Sequence, residues 1–171
     1  MTAWWRAALQ ADLSQGDILA DVPVGIVAAP PVRLHSKSFR GNETGWIKSD
    51  KPLDSKSRAE LLASGFAVPV IVLGHDCELD KSATRVLVAP IQPIGSVHAD
   101  HHASILEGKN WAQVALQDIP ELGTCFADFR SMTAVDRRNI NAARRVSSMT
   151  EEAVRLLWAR LIGFFTRMQP P

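Results

Sequence analysis

The sequence predicts a mainly β or α+β fold, organised as a single domain of 171 residues. Two nearly continuous apolar runs, at residues 67–73 and 85–91, have the length and β-branched content of strands buried on both faces. Apolar residues then recur at helical spacing over residues 150–168, after a capping-box pattern at Ser148 and Glu151. A β-rich chain followed by one long amphipathic helix is typical of a sheet that the helix covers.

The composition is that of an ordinary globular protein. Hydrophobic residues make up 46% of the chain and charged residues 22%, which argues against a disordered protein. The formal net charge of +1 gives no overall attraction to nucleic acid or anionic membranes, so such binding requires a local patch. The two cysteines, Cys77 and Cys125, do not by their number establish a disulfide.

Targeting and membrane-spanning patterns are not recognisable in the sequence. No apolar stretch approaches the roughly 20 residues of a transmembrane helix. Residues 1–6 lack the basic start and the following apolar segment of a secretion signal. We therefore expect a cytoplasmic protein with reduced thiols and no membrane partner.

The first part of the chain predicts a helix and then a strand. Residues 2–11 can form a short helix with Trp4 and Trp5 on its apolar face. Residues 18–28 are mostly apolar and β-branched, and they predict a strand that is interrupted or bulged at Pro23.

Residues 30–66 form a predicted insertion, mostly a long loop or an exposed hairpin. Within it, a short helix over residues 54–64 would end at Gly65, which occupies a C-cap position. The remaining predicted elements are a helix at residues 99–107 and strands at residues 111–116 and 125–130.

Several short segments resemble, in order, those of the MazF/PemK toxins. They are Gly16-Asp17-Ile18, residues 69–73, residues 86–90, residues 128–137 and the terminal helix after Ser148. The resemblance implies an SH3-like β-barrel with a C-terminal helix, to which this chain adds an N-terminal helix and the insertion. It also implies a homodimer, and a toxin-antitoxin-like protein carried by a phage or another mobile element fits the same interpretation.

The chain departs from that family at the residues that cleave RNA. MazF/PemK toxins resemble one another in using an Arg before the strand proline and a Ser or Thr after the second strand, without a metal. Here Val68 precedes Pro69, and Ile91-Gln92-Pro93 follows the second strand. Because valine cannot supply the permanent cation that stabilises a developing phosphorane charge, the resemblance implies the fold more strongly than the activity.

The connection between the two apolar runs carries His75-Asp76-Cys77-Glu78, followed by Asp80. Loops held by rigid strands often carry catalytic or binding residues, so these four residues are the candidate catalytic set. Cys77 would be a nucleophile with His75 as its base, although no oxyanion element is visible. In a structural alternative, Asp76 and Glu78 make turn hydrogen bonds and Cys77 is a small buried hydrophobe.

A zinc site is a further alternative, although no cofactor is the leading expectation. Its candidate ligands are His75, Cys77, His98, His101 and His102. Their spacing matches no standard zinc finger, and the histidines at 98–102 can equally form a solvated turn.

A locally cationic segment lies between Arg130 and Arg145. Five arginines, set against Asp136, are the candidate nucleic-acid ligands: Arg130, Arg137, Arg138, Arg144 and Arg145. Guanidinium groups bind phosphate oxygens bidentately, and phosphate binding is salt-dependent. In the structural alternative, the arginines lie on a solvated helix face and pair with Glu151, Glu152 or a neighbouring subunit.

The leading hypothesis is a non-catalytic MazF/PemK-like protein that binds RNA, DNA or a protein partner. Whether the chain is an enzyme stays open at this point. A diverged hydrolase or ribonuclease that depends on a metal or on Cys77 and His75 is the enzymatic alternative. A structural protein that dimerises through its apolar helix is the third class.

Overall fold

A computed structural model describes most of the chain. The described residues are 3–9, 11–26, 32–34, 46–48, 61–62, 64–76, 79 and 84–166. The chain divides into two compact units, one formed by Met1–Pro23 with Ala67–Pro171 and the other by Val24–Phe66.

The strands and helices of the described residues follow the chain in this order. They are β1 (Asp17–Ile26), β2 (Val32–Leu34), β3 (Trp46–Lys48), β4 (Leu61–Leu62), β5 (Ser64–Val72), β6 (Arg85–Pro93), α1 (Ala99–Leu106), β7 (Gln113–Ile119), β8 (Gly123–Asp128), β9 (Thr133–Asp136), β10 (Arg145–Ser148) and α2 (Glu151–Thr166). Short 3-10 turns occupy Ile94–Ser96, Phe129–Ser131, Arg137–Asn139 and Ala142–Arg144.

The architecture is α+β and mainly antiparallel, as the sequence predicts. A 7-stranded sheet has the order β10-β1-β5-β6-β8-β7, and β9 also pairs with β6. β6 is the central strand, because its successive parts pair with β9, β5 and β8. Among the described residues no pairing joins β9 to β10, so the sheet is not closed. β2, β3 and β4 form a separate 3-stranded sheet with the order β3-β2-β4.

The elements with the clearest local patterns are confirmed. The two apolar runs are β5 and β6, and the helix at residues 99–107 is α1. The two alternating segments are β7 and β8. The terminal helix is α2, which buries Ala153, Leu157 and Leu161 against the sheet core around Ile71 and Phe129. Burying a leucine side chain such as Leu157 contributes about 2 kcal/mol, so this face accounts for the docking of α2.

The predicted N-terminal helix is wrong. Residues 3–9 contain no helical turn, and Trp5 instead forms an antiparallel bridge with Met149. The Arg6 N–H donates to the Ser148 carbonyl at 2.9 Å, and the Thr150 N–H donates to the Trp4 carbonyl at 3.0 Å. A helix this short is marginal in water, so hydrogen bonds to a distant strand end determine the conformation.

The helix predicted to end at Ser64 is also wrong at its end. Leu61–Leu62 is a strand that pairs with β2, and Ser64 begins β5. Residues 54–60 of that prediction lie outside the described residues. The backbone pairing with β2 replaces the local helical hydrogen bonds at this position.

Two local details concern β1 and the start of α2. The pairing of β1 with β10 shifts register between Ile18 and Leu19, and Asp21, two residues before Pro23, has a positive φ of 51°. The capping box is displaced, because Ser148 belongs to β10 and its hydroxyl donates to Asp17. Instead, the Thr150 Oγ1 accepts the Ala153 N–H at 3.3 Å at the start of α2.

No helix in the described part of the chain has the length and apolarity needed to span a bilayer.

Candidate functional site

The turn that opens β1 contains a buried carboxylate, Asp17, with no solvent exposure. Its Oδ1 accepts a hydrogen bond from the Ser148 hydroxyl at 2.6 Å, and its Oδ2 accepts one from the Ser14 N–H at 2.8 Å. The Arg145 Nη1 lies 3.2 Å from Oδ2, and the two side chains are 3% and 0% exposed. Two segments far apart in the chain, the β1 turn and β10, therefore meet at one buried ion pair.

Arg145 lies inside the protein rather than on the arginine surface predicted from the sequence. Its Nη1 donates to the Asp12 carbonyl at 2.8 Å and its Nη2 to the Ala11 carbonyl at 3.3 Å. Its Nε is buried and finds no hydrogen-bond partner among the described residues. With its guanidinium enclosed by these groups, Arg145 offers no surface for a phosphate, and it contributes to the fold instead.

Opposing effects act on the pKa of Asp17. Burial disfavours the charged carboxylate and is the largest effect, so the pKa of Asp17 is raised above its ordinary value. The hydrogen bonds from Ser148 and Ser14 and the positive charge of Arg145 lower it and oppose the effect of burial. The two hydrogen bonds and Arg145 thus all favour the charged carboxylate against the effect of burial.

Gln15 connects the β1 turn to the loop after β5 and to α2. Its backbone N–H donates to the Asp76 Oδ1 at 2.7 Å, and its side-chain Nε2 donates to the Leu73 carbonyl at 2.7 Å. Its Oε1 accepts the Trp158 indole N–H at 2.6 Å. Asp76, from the candidate catalytic set, thus makes a structural hydrogen bond to a distant segment, in keeping with the structural alternative.

The rest of the candidate catalytic set is only partly described. His75 is exposed, and its carbonyl accepts the Leu79 N–H at 3.1 Å, closing one helical turn. Cys77, Glu78 and Asp80 lie outside the described residues. The pairing of His75 with a Cys77 nucleophile therefore stays a prediction.

The histidines at 98–102 lie at the start of α1. The exposed His98 caps this helix, with its Nδ1 3.2 Å from the Asp100 carboxylate, and the His102 Nε2 lies 3.0 Å from the Val97 carbonyl. His101 is exposed. Within the described ranges, no group of three or more His, Cys, Asp or Glu side chains could hold a metal.

The described cysteine, Cys125, is a core residue. It is 2% exposed in β8, and burial raises the pKa of its thiol. Its Sγ contacts the Leu122 carbonyl at 3.6 Å. The higher pKa and the burial disfavour a reactive thiolate, so Cys125 behaves as a small hydrophobic residue.

The arginine segment, residues 130–144, consists of three capped 3-10 turns around β9. Asp128, Asp136 and Asn141 cap these turns, and each side chain accepts the N–H of the residue two positions later. Asp128 also binds the Arg130 guanidinium at Nε and Nη2, and Asp136 binds Arg138 in the same way. The same Asp-x-Arg geometry therefore occurs twice and holds both guanidinium groups in fixed directions.

The other arginines of the segment are held by carbonyl groups. The Arg137 Nη1 donates to the Ile140 carbonyl at 3.2 Å, and the Arg144 Nη1 donates to the Asp21 carbonyl at 2.6 Å. A neutral carbonyl fixes a guanidinium without cancelling its charge. Arg85 lies opposite Asp136 in the β6–β9 pairing, and its positive charge helps to lower the pKa of Asp136.

The sequence analysis did not identify Asp128 and Arg85 as neighbours of the arginine segment. Asp128 lies just before the segment, and the spacing Asp-x-Arg, repeated at Asp136 and Arg138, was the signal that could have identified it. Arg85 becomes a neighbour only through strand pairing. Arg130 thus pairs with Asp128 and Arg138 with Asp136, whereas Glu151 pairs with Arg155.

Asp128 provides a test of this capping geometry. Burial raises its pKa, but hydrogen bonds from Arg130 and Gln113 and the charge of Arg130 outweigh burial, so the pKa of Asp128 lies below its ordinary value. We expect Asp128→Asn to lower the free energy of unfolding by about 1 kcal/mol at neutral pH, a value kept small because Arg130 is largely exposed.

The pH dependence follows from that lowered pKa. The stabilisation by Asp128 is complete above its unfolded pKa of about 4 and is lost as the pH falls through the lower folded value. Urea denaturation of the wild type and Asp128→Asn should therefore give curves that converge in acid. A difference that is unchanged down to about pH 2 would contradict the role of the Asp128 charge.

Comparison with known proteins does not assign the chain to a family. No protein-family model matches it, and no curated protein matches it. The MazF/PemK resemblance of the short segments therefore stays a prediction from the sequence.

Proposed function

We propose that this protein binds RNA through the phosphate backbone, using its arginine segment, and that it does not cleave the RNA. The observation that carries the proposal is that hydrogen bonds to neighbouring groups hold Arg137, Arg138 and Arg144, while Arg85 pairs opposite Asp136 in the sheet. The 3-10 turns and their caps orient these side chains before a ligand arrives. Ordering fewer side chains on binding lowers the entropic cost of association.

Charge and exposure support the same proposal. The Arg138 side chain is 89% exposed, although Asp136 holds one edge of its guanidinium. Arg137 and Arg144 donate to carbonyls, so their charges remain available to phosphate groups. Because the net charge of the chain is only +1, binding should depend on this local surface and weaken steeply with salt.

Apolar residues occupy the positions that are catalytic in MazF/PemK toxins. Val68 is half-buried in β5, and Ile91 is 3% exposed in β6. Neither side chain can stabilise a developing charge or transfer a proton. In this proposal the protein has the fold of a toxin-like protein and binds RNA, but it does not cleave RNA.

The proposal includes an SH3-like barrel and a cytoplasmic location. The antiparallel path β10-β1-β5-β6-β9 has five strands, and it would form a small barrel if its end strands β9 and β10 came together. With the resemblance of the segments around Asp17 and Arg137, this order supports the barrel as the finer description.

A homodimer is the second candidate, and the exposed side chains of α2 favour it. Leu156, Ile162 and Phe165 are 47%, 55% and 65% exposed. Large apolar side chains at this exposure on one helix support assembly with another protein surface. Sedimentation at several concentrations tests this candidate independently of RNA binding.

The experiment is a fluorescence-anisotropy titration of a labelled RNA of about 20 nucleotides at several salt concentrations. We expect Arg137→Ala/Arg138→Ala to weaken binding about tenfold and to reduce the slope of log affinity against log salt by about 1.4. Arg155→Ala is the control, because Arg155 lies on α2 with its side chain 80% exposed. A double variant that binds like the wild type would refute the proposal, as would an equal loss with Arg155→Ala.

The same samples show whether the RNA is cleaved, and a matched DNA shows whether the surface distinguishes RNA from DNA. After prolonged incubation with and without EDTA, intact RNA on a denaturing gel supports the non-catalytic proposal. Cleavage products would instead favour the ribonuclease alternative. Tight binding to a DNA of the same sequence would show that the surface recognises phosphate without distinguishing the sugar.

A further inference from the structure

A small pocket lies among the end of α1, β7, α2 and the N-terminal segment. Its volume is about 160 Å³, and its apolar lining residues include Trp4, Leu106, Val114 and Leu156. A dry cavity of about this size admits a benzene-sized body. None of its lining residues belongs to the arginine segment, so a ligand here would be separate from the proposed RNA surface.

Arg160 supplies the positive charge of this pocket. Its Nη1 donates to the Gly108 carbonyl at 2.7 Å, which anchors one edge of the guanidinium. The neighbouring Glu107 carboxylate pairs with Lys109 at 2.5 Å. Glu107 also lines the pocket, but its carboxylate is paired with Lys109, and among the described residues no carboxylate forms an ion pair with Arg160.

The backbone at Gly108 packs closely against the Arg160 guanidinium. Gly108 has φ +69°, and a Cβ atom at this position would collide with the Arg160 Nη2. Only glycine therefore allows Arg160 to lie against the end of α1 in this conformation.

The side-chain amide of Gln113 does not compete for the charge. Its Nε2 donates to Asp128 at 3.3 Å and its Oε1 accepts from Asn110 at 2.7 Å. Since those bonds engage both ends of the amide, the wall of the pocket combines apolar surface with the Arg160 cation.

We propose that this pocket binds a small monocarboxylic acid with an apolar body about the size of a benzene ring. The body contacts Trp4, Leu106 and Leu156, and the carboxylate pairs with the Arg160 guanidinium. Apolar walls with one fixed polar group are the usual design of a small-molecule site. A carboxylate is favoured over a neutral polar group because charge-assisted bonds to guanidinium are the stronger ones.

The test is a titration of the ¹⁵N-labelled full chain with phenylacetate, followed by backbone amide shifts in NMR. We expect saturable shifts at Gly108, Val114 and Arg160 with a Kd of about 1 mM. The neutral isostere phenylacetamide should bind at least about tenfold more weakly. Arg160→Gln should weaken phenylacetate to the level of the amide, while the matched control Arg155→Gln on the same helix should bind like the wild type.

Several outcomes would overturn the proposal. Equal affinity for phenylacetate and phenylacetamide would remove the role of the charge, and unchanged phenylacetate binding to Arg160→Gln would do the same. Shifts that fail to saturate, or that map to the arginine segment, would exclude this pocket.

If Arg160→Gln fails to fold, Leu156→Trp is the second variant. Residue 156 is 47% exposed, so a larger side chain can enter the pocket from its rim while Arg160 remains. Filling the pocket should abolish binding of both compounds. Undiminished phenylacetate binding to Leu156→Trp would refute the site.

Discussion

Replacing Arg145 with Met is expected to lower the free energy of unfolding by about 3 kcal/mol or more at neutral pH, because it leaves the Asp17 carboxylate buried without its counter-charge. The side chain of Asp17 is fully buried and retains only neutral donors from Ser148 and Ser14 in this variant. Urea denaturation followed by circular dichroism measures the loss.

A second substitution tests the cause of that loss. Asp17→Asn in the Arg145→Met background removes the unpaired charge, so the double variant should be more stable than Arg145→Met alone. Replacing both members of a buried ion pair is commonly far less costly than removing one. A double variant no more stable than the single variant would show that the burial of Asp17 is not what Arg145 compensates.

The loss caused by Arg145→Met should also depend on pH. Burial already raises the pKa of Asp17, and Arg145 opposes that rise, so removing Arg145 raises the pKa further. The folded variant then binds a proton that the unfolded chain releases, and its stability falls as the pH rises from about 4 through the raised value. The variant should therefore come closest to the wild type in acid and differ most at neutral pH.

Gly16→Ala is the second substitution with a large expected effect, a loss of about 2 to 4 kcal/mol. Gly16 has φ +82°, and a Cβ atom there would lie 2.9 Å from the Met149 Cβ and 2.9 Å from the Val154 Cγ2. Backbone strain and crowding against the start of α2 therefore add together. Thermal and urea denaturation give the magnitude.

Two other glycines separate these contributions. Gly123 has φ +70° but open space around it, so Gly123→Ala reports strain alone, at about 1 kcal/mol. Gly95 has open space without a positive φ, and Gly95→Ala should change stability little. If Gly16→Ala costs no more than Gly123→Ala, the close packing of the β1 turn against α2 is refuted.

Local sequence patterns predicted the elements that pack an apolar run or an apolar face into the core. β5 and β6 are apolar runs buried in the sheet, and α2 has an apolar face that meets the core. In these cases the apolar residues that become buried together lie close to one another in the sequence. The N-terminal segment failed because the apolar spacing of Trp4 and Trp5 suited a helix, whereas hydrogen bonds to residues 148–150 determine its conformation.

The candidate site residues divide in the same way. Arg137, Arg138 and Arg144 lie at the surface or half-buried, as a cationic segment predicts. Arg144 and Arg145 are adjacent and chemically identical, yet one binds the exposed Asp21 carbonyl and the other is buried against Asp17. The two residues lie on either side of an element boundary, because Arg144 ends a 3-10 turn and Arg145 begins β10.

By itself, the sequence determined the α+β class, the central strands, the terminal helix and the local excess of arginine, because each depends on residues close together in the chain. Only the tertiary structure decided that Asp17 and Arg145 form a buried pair, that Asp76 supports the β1 turn and that Arg160 borders a pocket. Each of these arrangements joins residues far apart in the chain. Their contacts exist only after strand pairing and the docking of α2 bring them together, and no local pattern records which distant partner a charged side chain will meet.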